Sequence, residues 1–169
     1  MQILGGRFKR LPIKSLPQMP YRPTKSIVRK SLFDKLSPFH YDSVLDLFSG
    51  TGIMGFEAAS RGANSITFVE QHGKCIDLLK ENSLKFSGPS YTFVRSNVYK
   101  YLKNNNILYD LIIADPPYGE TNLDLLADNV LNHLNKNGKF ILECEKKQTP
   151  LINSDVLDYG DTRILLWTK

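Results

Sequence analysis

Strand-like and helix-like runs alternate without a break through the middle of this chain. Predicted strands over 43–47, 65–69, 91–94, 110–114 and 139–144 are separated by predicted helices over 52–61, 73–86, 98–103 and 123–134. A parallel pair of strands needs a crossover, and a helix is the usual one. Repeated units of this kind therefore give a mostly parallel sheet with helices on both faces. After Cys144 the alternation stops. Two extended runs, 156–159 and 162–167, flank Gly160-Asp161 and read as a closing β-hairpin, which completes a seven-stranded sheet. At the front, Gln2-Ile3-Leu4 and the run from Arg7 to Leu11 flank Gly5-Gly6, a second hairpin signal. A helix capped by Thr24 follows, with Ile27, Val28, Leu32, Phe33 and Leu36 at helical spacing.

The 169 residues suit one domain, and at 41% hydrophobic they can bury a core. No apolar run approaches the ~20 residues of a membrane span, and the basic front end lacks the apolar stretch of a signal peptide. Cys75 and Cys144 lie far apart and read as free thiols of a cytoplasmic protein. His40, His72 and His133 sit among polar residues and read as surface or loop positions, so no metal site is expected. Charge is uneven. Residues 1–33 hold eight basic side chains and no acid, whereas the rest holds fourteen basic and seventeen acidic. A basic front on a slightly acidic body points to a polyanion, nucleic acid first.

The first strand of the alternating region runs into DLFSGTGIMGFE, residues 46–57. Gly50, Gly52 and Gly55 fit a tight strand-to-helix turn whose backbone can approach a ligand closely. Glu70 ends the next strand, where a carboxylate can accept hydrogen bonds from both hydroxyls of a ribose. The ligand is thus a nucleoside. Asp46 argues against a dinucleotide, because a carboxylate is a poor neighbour for a pyrophosphate and a good one for an ammonium group. S-adenosylmethionine has both the ammonium and the ribose.

The fourth of these strands ends in Asp115-Pro116-Pro117-Tyr118-Gly119. Sheet geometry puts this turn on the same edge as the glycine loop. A planar base stacked on Tyr118 could donate its amino hydrogens to the Asp115 carboxylate and the Pro116 carbonyl. The prolines fix φ near −65° and hold that carbonyl in place beforehand. Two acceptors favour a pyramidal nitrogen with its lone pair aimed at a sulfonium methyl, so catalysis would be mainly positioning. The motif serves any exocyclic base amine, and adenine N6 in DNA or RNA stays open on these residues.

DLFSGTG, FVE and DPPYG in this order resemble the class I S-adenosylmethionine-dependent methyltransferases. With ILGGRFKRLPI and RPTKSIVRKSLFDKL ahead of them, and YGDTRILLW at the end, the chain resembles the RsmD family of bacterial 16S ribosomal RNA guanine-N2 methyltransferases. The resemblance covers nearly the whole chain. It implies a Rossmann-like α/β domain over residues 1–169, with a basic, RNA-facing hairpin and loop over 1–23 and a catalytic core over 24–169. It implies S-adenosylmethionine as cofactor, no metal, and a monomer acting on 16S rRNA within a small ribosomal subunit or assembly intermediate. Gly50, Thr51 and Gly52 would line the cofactor and Glu70 would hold its ribose, with Asp46, Phe48 and Gln71 in the same site. Asn97 and Val98 would face the adenine, the Asn97 oxygen accepting its amino hydrogen. Thr24 would sit beside the cofactor with Arg22 and Pro23. Asp115, Pro116, Pro117 and Tyr118 would form the catalytic motif. Glu143-Cys144 departs from the pair usual in the family.

A guanine N2 amine within a helix is out of reach of a buried methyl donor, so the target is unpaired or flipped. Arg7, Lys9, Arg10 and Arg22 would bind phosphates. Other residues read as structural: Phe48 and Phe56 as core, Tyr91, Phe93, Tyr99 and Tyr101 as packing, Glu57 as an acid near the start of its helix, and Arg29 and Lys30 as a solvated helix face.

Overall fold

The computed structural model describes residues 1–16 and 26–169. Five helices and seven strands follow in order: α1 (Ser26–Lys35), β1 (Ser43–Leu47), α2 (Ile53–Arg61), β2 (Ser65–Glu70), α3 (Gly73–Ser83), β3 (Ser90–Arg95), α4 (Val98–Lys103), β4 (Tyr109–Ala114), α5 (Leu123–Leu131), β5 (Leu134–Glu145), β6 (Asp155–Tyr159) and β7 (Thr162–Thr168). They build one seven-stranded sheet in the order β3-β2-β1-β4-β5-β7-β6. The first five strands are parallel, and β7 runs antiparallel between β5 and β6. The order reverses between β1 and β4, the place where an open sheet of this type opens a crevice at its carboxyl edge.

Local chemistry sets most of the boundaries. The Asn97 side chain accepts from the Tyr99 and Lys100 amides to start α4, and Asn122 accepts from Leu125 to start α5. Gly62, at φ 130°, closes α2 by returning its amide to Ala58 and Ala59 carbonyls. The central strands are apolar on both faces, as a sheet covered on two sides requires. One face packs α1, α2 and α3 around Phe33, Phe56, Phe68 and Phe86; the other packs α4 and α5 around Leu126, Val130, Phe140 and Trp167. Tyr91 and Phe93 pack on the first cluster, and Tyr99 and Tyr101 on the second. One boundary differs from the sequence pattern. Leu134 does not end α5 but begins β5, pairing with Tyr109 ahead of a register shift at Tyr109/Leu111. Asn137, at φ 64°, and Gly138 then turn the chain into the main run of β5.

The amino-terminal segment is mounted on α2 and α3. Its limbs meet at a Gln2–Pro12 bridge, and Ile3 exchanges backbone bonds with Arg10 and Leu11. The reversal therefore spans Leu4 to Arg10 instead of turning on Gly5-Gly6, and 7–10 form turns instead of a strand. The glycines serve another purpose: Gly6 has φ 72°, and a Cβ there would lie 1.9 Å from the Ser60 carbonyl oxygen. Ser60 accepts from Arg7 N and Phe8 N and donates to the Gly5 carbonyl.

Two residues read from sequence as unremarkable hold this mount. Glu57 is fully buried and accepts from Leu4 N at 2.8 Å, Gly5 N at 2.9 Å and Arg61 Nε at 3.0 Å. Arg29 is not on a solvated face; it is 1% exposed, lies 3.5 Å from Glu57 and donates to the Gln2 carbonyl. Helical periodicity cannot distinguish such an inward arginine from a surface one until its acid is located. Lys30 is exposed, as expected. Asn82, also fully buried, exchanges two hydrogen bonds with the Lys14 backbone and donates to the Thr51 carbonyl. His133 likewise departs from expectation: it is buried, with its ring nitrogens 3.1 and 3.0 Å from the Ile107 and Leu102 carbonyl oxygens. Both cysteines are free and buried. Among the described residues no helix is long and apolar enough to cross a membrane, and no cluster of possible metal ligands occurs.

Candidate active site

A cavity of about 400 Å³ opens at the carboxyl edge of β1, β2 and β4. Its floor is the loop between β1 and α2. Phe48 takes φ 57°, an unusual value for a bulky residue, and Gly50 and Gly52 take 51° and 77°. Ser49 ties this turn to the sheet by donating to the Asp46 and Val69 carbonyls. Gly52 lies just behind the cavity wall, where a Cβ would strike Leu79 and Phe56. A Cβ on Gly55 would lie 2.3 Å from the Phe68 ring. The third glycine thus lets α2 settle onto β2, and its amide reaches Asp46 Oδ2 at 2.9 Å.

Asp46 and Glu70 line this cavity together with Asp115 and Glu120. Glu70, at the end of β2, accepts from Gly50 N at 3.0 Å through Oε2 and from His72 N at 2.9 Å through Oε1. Glu70 thus shapes the glycine loop, and each of its oxygens keeps further lone-pair capacity. Asp46 is 3% exposed. Burial pushes its carboxyl up to about 8, helped by the nearby Glu70 charge and opposed by the Gly55 amide bond. A site that penalises the anion so strongly fits a cationic group, and a pyrophosphate would worsen the conflict.

The structure brings together the catalytic residues and most of the cofactor residues singled out in the sequence. Asp46, Phe48, Gly50, Thr51, Glu70, Gln71, Asn97 and Val98 line the cavity, as do Asp115, Pro116, Pro117 and Tyr118. Thr24 and Arg22, with Pro23, fall outside the described residues. Arg7, Lys9 and Arg10 are exposed on the amino-terminal mount and do not line the cavity. Arg7 stacks over the Phe8 ring at 4.6 Å. The Asn97 oxygen has a structural duty that the sequence pattern did not reveal: it is the cap of α4, accepting at 3.0 and 3.3 Å. Its amide nitrogen is the remaining polar atom of that side chain, and it is a donor.

Ile53, Met54, His72, Cys75 and Ser96 also line the cavity and were not singled out. Each lies within a few residues of a motif position, which is the signal that could have found them. Burial raises the Cys75 thiol to about 11, with the Glu70 charge adding to the effect, so it stays protonated and acts as apolar wall.

A strand order with one reversal, a glycine loop after β1, an acid ending β2 and a DPPY turn after β4 define a Rossmann-like methyltransferase fold. Solved structures agree. The chain matches a hypothetical protein of Thermus thermophilus with a TM-score of 0.87 and 28% identity, covering 99% of this chain and 98% of that one. It matches the putative methyltransferase yhhF of Escherichia coli with a TM-score of 0.84 and 26% identity, covering 100% and 97%. The model of the family described as Conserved hypothetical protein 95 matches residues 1–164. Ribosomal RNA small subunit methyltransferase D of Buchnera aphidicola subsp. Baizongia pistaciae is 35% identical over 158 residues, spanning 90% of this chain and 80% of the relative. The protein of the same name in Haemophilus influenzae is 32% identical over 164 residues, spanning 92% and 83%. The chain belongs to this family, the RsmD family of S-adenosylmethionine-dependent methyltransferases.

Proposed function

We propose that this protein transfers a methyl group from S-adenosylmethionine to the exocyclic N2 amine of a guanine in 16S ribosomal RNA. The observation that carries the reading is the cavity in which the Asp46 and Glu70 carboxylates meet the DPPY turn. S-adenosylmethionine supplies an electrophilic sulfonium methyl. Asp46 faces its ammonium group and Glu70 its ribose, while Asn97 and Val98 border the adenine. Tyr118 stacks the target base. The Asp115 carboxylate and Pro116 carbonyl accept its two amino hydrogens and aim the nitrogen lone pair at the methyl carbon. As the N–C bond formed and the C–S bond broke, the amine would lose one proton, and Asp115 is the group placed to take it. The rate gain comes from alignment of these groups.

Residues 1–23 act as the RNA-facing part and residues 24–169 as the catalytic core. Arg7, Lys9 and Arg10 meet phosphates, joined by Arg22. The target guanine is unpaired or flipped, and a small subunit or assembly intermediate presents it to a monomeric enzyme in the cytoplasm. Relatives named for small-subunit ribosomal RNA support this substrate class.

The test offers labelled S-adenosylmethionine with naked 16S RNA, small subunits assembled without the modification, and duplex DNA. The methylated nucleoside is then identified by mass spectrometry. N2-methylguanosine from either RNA substrate is expected. N6-methyladenine from any substrate would retain the cofactor and overturn the guanine assignment.

A further inference from the structure

A second cavity, of about 450 Å³, lies on the far side of the DPPY turn. It shares Pro116, Pro117 and Tyr118 with the first and is closed by residues from the end of β5 and beyond, including Glu143, Lys147 and Thr149. Its size is in the range of small-molecule sites, ample for a purine. Glu143 is 6% exposed there.

The sheet register explains why this acid matters. β4 and β5 are parallel and pair Ala114 with Leu142. The pairing ends there, and the next residues along the two chains are Asp115 and Glu143. Ile113 and Ile141, two residues earlier on each strand, belong to the same core cluster. Asp115 lines the first cavity and Glu143 the second, at the carboxyl edge of neighbouring strands. Pro116, Pro117 and Tyr118 line both cavities, so a base stacked on Tyr118 has Asp115 on one side of the turn and Glu143 on the other.

The two candidate bases differ at that point. Guanine carries three hydrogens in a row on this edge, two on N2 and one on N1. Adenine has an amine beside an unprotonated N1, whose lone pair would face the second carboxylate. We propose that Glu143 accepts the N1 hydrogen of the target guanine while Asp115 and Pro116 hold its N2 hydrogens, making Glu143 the residue that selects guanine over adenine. A carboxylate offers about four lone-pair positions, so Glu143 can take this hydrogen while keeping its contacts within the protein. A site built to pair with a hydrogen rejects the analogue lacking it strongly. The inference rests on the reading of the reaction given above.

The test replaces the target guanine, once mapped by mass spectrometry, with 2-aminopurine in a ligated 16S RNA. This base keeps the 2-amino group and has no hydrogen on N1. Wild-type enzyme should methylate guanine at least about 100-fold faster than 2-aminopurine. The Glu143→Gln variant, whose amide can donate to a bare N1, should shrink that ratio at least tenfold while binding S-adenosylmethionine as before. An unchanged ratio in the variant, or equal rates on both bases in the wild type, overturns the role of Glu143 and leaves guanine methylation standing. Formation of N6-methyladenosine by the wild type overturns both.

Discussion

Two buried carboxylates, Glu57 within α2 and Asp46 on β1 against the Gly55 amide, differ in how completely they are matched. Glu57 faces the amino-terminal mount, with three N–H donors and the Arg29 guanidinium around it. Asp46 faces the cavity, with the Gly55 amide as its hydrogen-bond donor and with Glu70 raising its proton affinity. The first is a finished joint; the second is a place where a cation would finish the pairing. Burial alone therefore does not mark a functional acid. What surrounds the carboxylate does.

That contrast can be tested, as can the rest of the site. The largest expected effect lies at the DPPY turn. Asp115→Ala should lower methyl transfer by roughly 10²–10³-fold while the dissociation constant of S-adenosylmethionine, read by calorimetry, stays within about threefold; activity near wild type would sink the proposed orientation of the amine. Next comes the finished joint. Glu57→Ala leaves Arg29 buried without its acid and should cost about 3–5 kcal/mol of stability in urea unfolding. A loss below about 1 kcal/mol would mean that the mount is not held by this pair.

The unfinished site should respond to pH. Asp46 has its folded carboxyl near 8 against an unfolded value of 3.8, so the folded chain binds the extra proton between these limits. Stability from this group is present below about 4 and is lost as pH rises toward 8. Asp46→Asn should flatten that decline and weaken S-adenosylmethionine binding. An Asn variant with the wild-type pH slope would remove Asp46 from the account. A smaller effect is expected at the adenine end. Because the Asn97 oxygen caps α4, Asn97→Asp supplies a second acceptor and should tighten cofactor binding by about 1 kcal/mol, near fivefold. The smallest single effects belong to the exposed cations: each of Arg7, Lys9 and Arg10 changed to Ala should lower the slope of log affinity for RNA against log salt by about 0.7.

The comparison also explains what could be read from sequence. The β–α alternation, the glycine loop and DPPY each encode their geometry within a few residues, so the sheet and most of the cavity lining were legible. Glu57, Arg29 and Asn82 were not, because each acts across the fold: Glu57 meets Leu4 and Gly5 more than fifty residues away. His133 was missed for the same reason, its partners lying 26 and 31 residues back along the chain. The Gly5-Gly6 turn was misjudged because a local hairpin rule competed with a tertiary one, the close approach of Gly6 to Ser60. The duty of Asn97 as a helix cap was hidden by the resemblance itself, which directed attention to the adenine.

Asn82 joins two parts that the functional reading keeps separate. One side-chain amide is shared between the Lys14 backbone, which leads away from the amino-terminal mount, and the Thr51 carbonyl of the glycine loop. Neither end can shift without loading the other. A displacement of the glycine loop at Thr51 would therefore reach Lys14 through one amide group. If filling the cavity moves Thr51, linkage requires that a ligand on the amino-terminal arm and one in the cavity change each other's affinity by the same factor.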